Sequence, residues 1–295
     1  MDKLEIGIGG DGQVRVLAAI TTETVTEGVR RHSTSPTASA AFGRVLTGSA
    51  LLAASLKDFD RLTVRIDAEG PIRGIVGEAD RAGNVRGYVR NPLADAGVTS
   101  DGKLDVRSIV GSGMFYVIRE SGFDVGLRKD PYIGSVPIIS GEIAEDFAHY
   151  LFRSEQIPSA VLLGVLINNQ EPFVAASGGV MVQMMPGANE HLVTMIEDTI
   201  RRAPHLTSCI NEGAGPSDLV SMVLGEIPFE MVDSRDVEFK CGCSPEKAET
   251  LIAGLGKDEV DSMLKEDKGA VMNCGFCREE FVFDETQLAG LLERI

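Results

Sequence analysis

The chain has 295 residues, room for two domains at roughly 100–200 residues each. A hydrophobic fraction of 43% and a mean hydropathy of +0.05 exclude wholesale disorder and a membrane-embedded protein. Forty-four acidic against 28 basic residues give a net charge of −16, which repels a phosphate backbone and disfavours nucleic acid as a partner.

No apolar run reaches the ~20 residues of a membrane span, so no membrane partner is expected. The opening Met1-Asp2-Lys3-Leu4-Glu5 lacks a basic stretch followed by an apolar one, and the chain reads as cytoplasmic. Gly7-Ile8-Gly9-Gly10-Asp11-Gly12 matches a dinucleotide-binding glycine pattern, which needs a following helix. Residues 13–18 instead begin with period-two alternation, so Asp11-Gly12 is predicted as a turn between two strands.

Ser35-Pro36 predicts a capped helix start, with Phe42, Val45, Leu46, Leu52, Ala53 and Leu56 at helical spacing behind it. Strands are expected around Leu62-Val64-Ile66, Tyr88-Val89 and residues 114–118, with turns at Gly70-Pro71 and Asn91-Pro92. A helix after Ser140 places Ile143, Phe147, Tyr150 and Leu151 on one face. Three short strands follow, 160–167, 173–176 and 180–185, separated by Asn168-Asn169 and Ser177-Gly178-Gly179. Helices standing singly between groups of strands indicate an α+β fold, a mixed-sheet domain with packed helices, rather than a doubly wound sheet.

From Pro186 to about Val232 helices are expected and no further strand. Asn189 caps a helix carrying Leu192, Met195, Ile196 and Ile200, Pro204 ends it, and a second helical piece covers residues 218–224. Six of the ten methionines, Met181, Met184, Met185, Met195, Met222 and Met231, fall between 180 and 232. Such thioethers either fill gaps in a core or form an adaptable apolar surface.

Four of the five cysteines form two close pairs, Cys241-Gly242-Cys243 and Cys274-Gly275-Phe276-Cys277. In a reducing compartment clustered thiols bind metal, and four thiolates match the closed tetrahedral site that zinc prefers, so one Zn2+ on Cys241, Cys243, Cys274 and Cys277 is expected. Glycine inside each pair is read as letting the backbone fold tightly enough to present both sulfurs and turn amide hydrogens towards them. Between the pairs, Ser244-Pro245 starts a helix with Ala248, Leu251, Ile252 and Leu255 on one face, and residues 270–272 and 281–283 are strand candidates. The terminal unit, about 233–295, is too small for its apolar core alone to hold it, so the metal is expected to keep it folded.

A closed four-sulfur site has no position for a catalytic water. His32, His149, His191 and His205 form no ligand spacing and no G-x-S-x-G elbow occurs, so the protein is read as no enzyme, with no catalytic and no cofactor-binding residues assigned. Residues 233–295 hold 15 acidic and 8 basic residues, which weighs against a nucleic-acid-binding ribbon. Cys209 is read as a partly buried packing residue. A constitutive zinc-stabilised interaction module, a nucleic-acid-binding module and a disulfide reductase remain as alternatives.

The two cysteine pairs, their separation and the contexts Cys243-Ser244-Pro245-Glu246 and Cys274-Gly275-Phe276-Cys277 resemble the heat shock protein 33 family of redox-regulated chaperones. Ser154-Glu155-Gln156-Ile157-Pro158-Ser159 and Gly178-Gly179-Val180-Met181-Val182-Gln183 extend the resemblance over the whole chain. It implies an N-terminal α+β chaperone domain (1–179), a helical linker (180–232) and a C-terminal zinc-binding redox-switch domain (233–295). It further implies ATP-independent holding of unfolded client proteins, and a homodimer when activated. By the same resemblance, oxidation joins Cys241 to Cys243 and Cys274 to Cys277, releases zinc and switches the chaperone on.

Overall fold

Eighteen residues between Pro36 and Ala53 form a helix that is apolar nearly all round, and such a helix must be covered on every side. In the computed structural model, which describes residues 1–56, 60–121, 130–168, 170–171 and 173–295, two sheets cover it. The chain divides into two units, Met1–Lys240 and Cys241–Ile295.

The first unit runs β1 (Lys3–Gly9), β2 (Val14–Ile20), α1 (Thr22–His32), α2 (Pro36–Ala53), β3 (Arg61–Ala68), β4 (Gly74–Asp80), β5 (Asn84–Val89), α3 (Val106–Val110), β6 (Gly113–Glu120) and β7 (Tyr132–Pro137). It continues through α4 (Ala144–Arg153), β8 (Ser159–Ile167), β9 (Val174–Met184), α5 (Glu190–Arg202), α6 (Leu206–Asn211), α7 (Pro216–Leu224), β10 (Phe229–Asp236) and β11 (Glu238–Phe239). One sheet has the order β10-β1-β2-β9-β8 and the other β11-β5-β4-β3-β6-β7. All pairs are antiparallel except β11 with β5, so the α+β class with mixed sheets is as the sequence predicted.

The expected turn at Asp11-Gly12 joins β1 to β2, with both residues in the left-handed region. At the start of α2 the Ser35 hydroxyl accepts from the Ala38 N–H at 3.3 Å, with Pro36 in the first turn. Period-two alternation gives the five-stranded sheet two buried faces. Leu17, Ala19 and Met181 point towards α2, in the core shared with β3, β4 and β6. Val14, Val16, Ala18, Val180 and Val182 point the other way, into a second core covered by α5, α6 and α7.

Two expectations need correction. Residues 173–176 and 180–185 are not separate strands: β9 runs unbroken through Ser177-Gly178-Gly179, because those glycines serve close packing instead of a turn. A Cβ at Gly178 would lie 2.5 Å from the Ala19 carbonyl oxygen, and one at Gly179 would lie 2.6 Å from the Leu163 side chain. The stretch 180–232 is not wholly helical either, since it opens with the end of β9 and closes within β10, which pairs with β1. Of the expected Asn168-Asn169 turn, Asn169 lies outside the described residues.

The start of α4 hangs on one carboxyl group. Asp146, 1% exposed, accepts from the backbone N–H groups of Ile139, Ser140, Gly141 and Ile143 at 2.9–3.1 Å and from the Ser140 hydroxyl. Those bonds hold Ile143 at φ 72°, a conformation a β-branched residue rarely adopts. Asp146→Ala is therefore expected to destabilise this unit by more than ~3 kcal/mol, since each buried N–H left unpaired costs about 1–3 kcal/mol. The denaturation midpoint measures it, and a loss under ~1 kcal/mol would contradict the argument.

The second unit contains α8 (Pro245–Ala253), α9 (Lys257–Ser262), a π-helical turn Met263–Asp267, the hairpin β12 (Gly269–Asn273) and β13 (Glu280–Asp284), and α10 (Glu285–Leu292). Its fully buried apolar residues outside the cysteines are six: Ala248, Ile252, Val260, Phe283, Leu288 and Leu291.

Candidate metal centre

Each cysteine pair sits where the backbone has just been fixed. Cys241 and Cys243 directly precede α8, whose cap Ser244 accepts from the Lys247 N–H at 3.3 Å. Lys247 reaches back, its ammonium donating to the Gly242 carbonyl oxygen. Cys274 and Cys277 occupy the loop of the β12–β13 hairpin, whose strands close at Asn273 opposite Glu280. The Cys274 N–H donates to the Glu279 carbonyl, and the Arg278 N–H to the Cys274 carbonyl, both at 2.8 Å.

The four sulfurs lie within 4.8 Å of one another. Cys241 Sγ is 3.7 Å from Cys274 Sγ, and Cys243 Sγ is 3.3 Å from Cys277 Sγ. Zinc at about 2.3 Å from each sulfur of a tetrahedron would set those edges at roughly 3.8 Å, so the cluster is of the right size. All five cysteines are free thiols.

The surroundings aim backbone donors at two of the sulfurs. Backbone N–H groups of Cys277 and Phe276 hydrogen-bond the Cys274 sulfur, and that of Glu279 the Cys277 sulfur, as outer partners of metal ligands do. Burial opposes ionisation of Cys274, yet those N–H groups and the Cys277 and Cys241 thiols bring its pKa down to about 7. Burial, and then the crowd of neighbouring sulfurs, holds Cys243 well above the ordinary thiol range. Of Cys243, Cys274 and Cys277, Cys274 is the one whose surroundings lower its pKa.

Amide hydrogens turned towards the sulfurs are as the sequence predicted, but which residues supply them was not legible, because a backbone N–H is present in every residue and only the loop aims it. The reason assigned to the glycines is corrected. Neither Gly242 nor Gly275 occupies the left-handed region. A Cβ would meet nothing at Gly275 and only Lys247 Nζ, at 3.7 Å, at Gly242. The left-handed residue in the second loop is Arg278, at φ 61°.

The other singled-out residues lie elsewhere. His32 is buried edge-on against Phe42, with ring centroids 5.5 Å apart, and His149 is half-buried on α4. Cys209 packs in the second core with its sulfur 3.9 Å from Met222 Sδ. Of the six clustered methionines, Met181 is fully buried, Met184, Met195, Met222 and Met231 are partly buried against the second core, and Met185 is exposed.

Among the described residues no helix is long and apolar enough to cross a membrane. Residues 2–284 match the family model described as Hsp33 protein. The 33 kDa chaperonin of Desulforamulus reducens is 44% identical over 294 residues, covering 100% of this chain and 98% of its own length. That of Bacillus subtilis is also 44% identical, over 100% of this chain and 99% of its own. The crystal structure of the 33 kDa chaperonin, a heat shock protein 33 homologue, from Thermotoga maritima superposes with a TM-score of 0.89 at 34% identity, covering 99% of this chain and 98% of that one. With a matching fold over its whole length and four cysteines gathered at one point, the chain belongs to the Hsp33 family.

Proposed function

We propose that this protein is a redox-regulated, ATP-independent chaperone of the cytoplasm, a holdase that binds unfolding proteins without turnover. Its relatives carry the name 33 kDa chaperonin. The observation that carries the redox part is the gathering of four free thiols in a unit whose apolar core is only six buried side chains. Such a unit depends on what its sulfurs hold.

In the reduced state Cys241, Cys243, Cys274 and Cys277 would hold one metal ion, and the sulfur-only donor set and its dimensions support zinc. Bound there, zinc would neutralise the thiolates and tie the segment before α8 to the β12–β13 loop. Hydrogen peroxide oxidises one thiolate to a sulfenic acid, losing one oxygen as water once a proton is taken up. The neighbouring thiolate attacks that sulfur, forms the S–S bond and expels the second oxygen as water. Two thiols and one peroxide thus become one disulfide and two waters, and the Cys241–Cys243 and Cys274–Cys277 pairs consume two peroxides.

With its ligands consumed, the small unit loses its cross-link, and the disorder spreads into the chain just before it. In this reading residues 180–232 are the responsive linker. Helices α5, α6 and α7 cover Val14, Val16, Ala18, Val180 and Val182, and lifting them uncovers one continuous apolar sheet face. Clients bind that face, and a second activated copy can pair with it to form a homodimer.

The test is a paired assay on the zinc-loaded protein. Peroxide treatment with mild warming is expected to release one zinc per chain. Suppression of a heat-denatured protein's aggregation, without ATP, then appears and is abolished by reductant. If zinc stays bound, or if suppression is equal before and after its loss, the cysteines are purely structural and the redox reading fails.

A further inference from the structure

A cavity of about 690 Å³ opens in the first unit where the end of α2, the segment after α4 and the end of β9 converge. Both stretches that carried the family resemblance away from the cysteines reach it, the first through Glu155, Gln156, Ile157 and Pro158, the second through Gln183. The metal centre has no use for either.

Its walls are mainly apolar, from Leu52, Leu56, Ile157 and Met184, but it also contains a cation that the fold leaves unmatched. Arg15 stands opposite Gln183 in the β2–β9 register and is half-buried. Among the described residues its guanidinium has no hydrogen-bond or ion-pair partner. The charge it feels is that of Arg235, and burial first, then that like charge, pull its pKa below the usual arginine range. In a chain with 44 acidic residues, a half-buried arginine in an apolar cavity without a carboxylate is conspicuous, because charges withdrawn from water are ordinarily paired.

The other charged groups of the cavity do not supply the partner. Glu155 is engaged by Arg119 at 2.8 Å and by the Tyr150 hydroxyl at 2.5 Å. Glu190 is exposed in the first turn of α5. Gln183, 5% exposed, offers its amide N–H group, among the described residues, only to the weak acceptor Met181 Sδ, at 3.7 Å, so a second donor stands in register with Arg15.

We propose that this cavity binds a free amphipathic monocarboxylate of the medium-chain fatty-acid type. Its carboxylate takes hydrogen bonds from Arg15 and Gln183, and its alkyl chain lies along Leu52, Leu56, Ile157 and Met184. One unmatched guanidinium calls for one carboxylate, apolar walls call for a chain, and the volume lies in the range of small-molecule sites. The inference is independent of the redox reading, because every residue it uses belongs to the first unit and the experiment uses the reduced, zinc-loaded protein.

Calorimetric titration with octanoate, against the neutral octanamide, tests it. Octanoate is expected to bind the wild type at least about tenfold more tightly than octanamide. In Arg15→Met that preference disappears, octanoate falling to the level of octanamide, and the thermal midpoint is equal or higher, because the charge removed had no partner. Methyl-labelled methionine spectra provide a readout that needs no variant: Met184 and Met185 shift on saturation, Met263 and Met272 do not. Equal binding of octanoate and octanamide, or an undiminished preference in Arg15→Met, overturns the proposal. So does capture only of peptides ending in a free carboxylate, with no octanoate binding.

Discussion

Chelating the metal from the reduced protein will unfold residues 241–295 and leave the α2-centred core of residues 1–240 protected. The expectation follows from the disparity between the two interiors. The first unit buries α2 between two sheets, whereas the second has six fully buried apolar residues besides Cys277. A structural zinc site contributes about 10–16 kcal/mol to folding, as much as the whole stability of many domains. Cys277→Ala should act like chelation, because that sulfur is buried, receives the Glu279 N–H and is 3.3 Å from Cys243 Sγ. Amide hydrogen exchange would read both cases as near-complete loss of protection in β12, β13 and α10. Retained protection in the metal-free, reduced protein would mean that the apolar core suffices and that the sulfurs cannot act as a folding switch.

The features that were legible in the sequence are those whose cause is local. Ser35-Pro36 and Asn189 announce helices because cap and first turn lie within a few residues, and the metal site is legible because its ligands are a rare residue type in two tight pairs. Helix α1 was not legible: the β-branched Thr22, Thr24, Val25 and Thr26 disfavour helix locally, and its first N–H groups are capped from β1's side of the chain. Asp2 accepts from the Glu23 and Thr24 N–H groups at 3.2 and 2.7 Å. Strand β10 escaped because its partner β1 stands at the far end of the unit. The cavity was invisible for the same reason, since Arg15, Leu52, Ile157 and Gln183 meet only after the sheets have formed.

Leu224→Ala is expected to give a chaperone that suppresses aggregation while still reduced and zinc-loaded. The layer over the outer sheet face is anchored unevenly. Helix α7 buries Leu219, Val220, Val223 and Leu224, whereas α5 fully buries only Ile196. Leu224 packs so closely on β1 that a Cβ at Gly9 would lie 3.1 Å from its Cδ1. Truncating a leucine so enclosed costs about 2–5 kcal/mol, a large share of what holds a layer that must open before the rest of the molecule does. The sheet beneath keeps its other face on α2, so β1 and β2 should remain protected from hydrogen exchange while α5, α6 and α7 lose protection. Val220→Ala, which removes less volume, should fall between this variant and the wild type in both measurements. If the three helices lose protection and aggregation is still not suppressed, the face carrying Val14, Val16 and Val182 is not where clients bind. In that case, thiol oxidation must act through another surface.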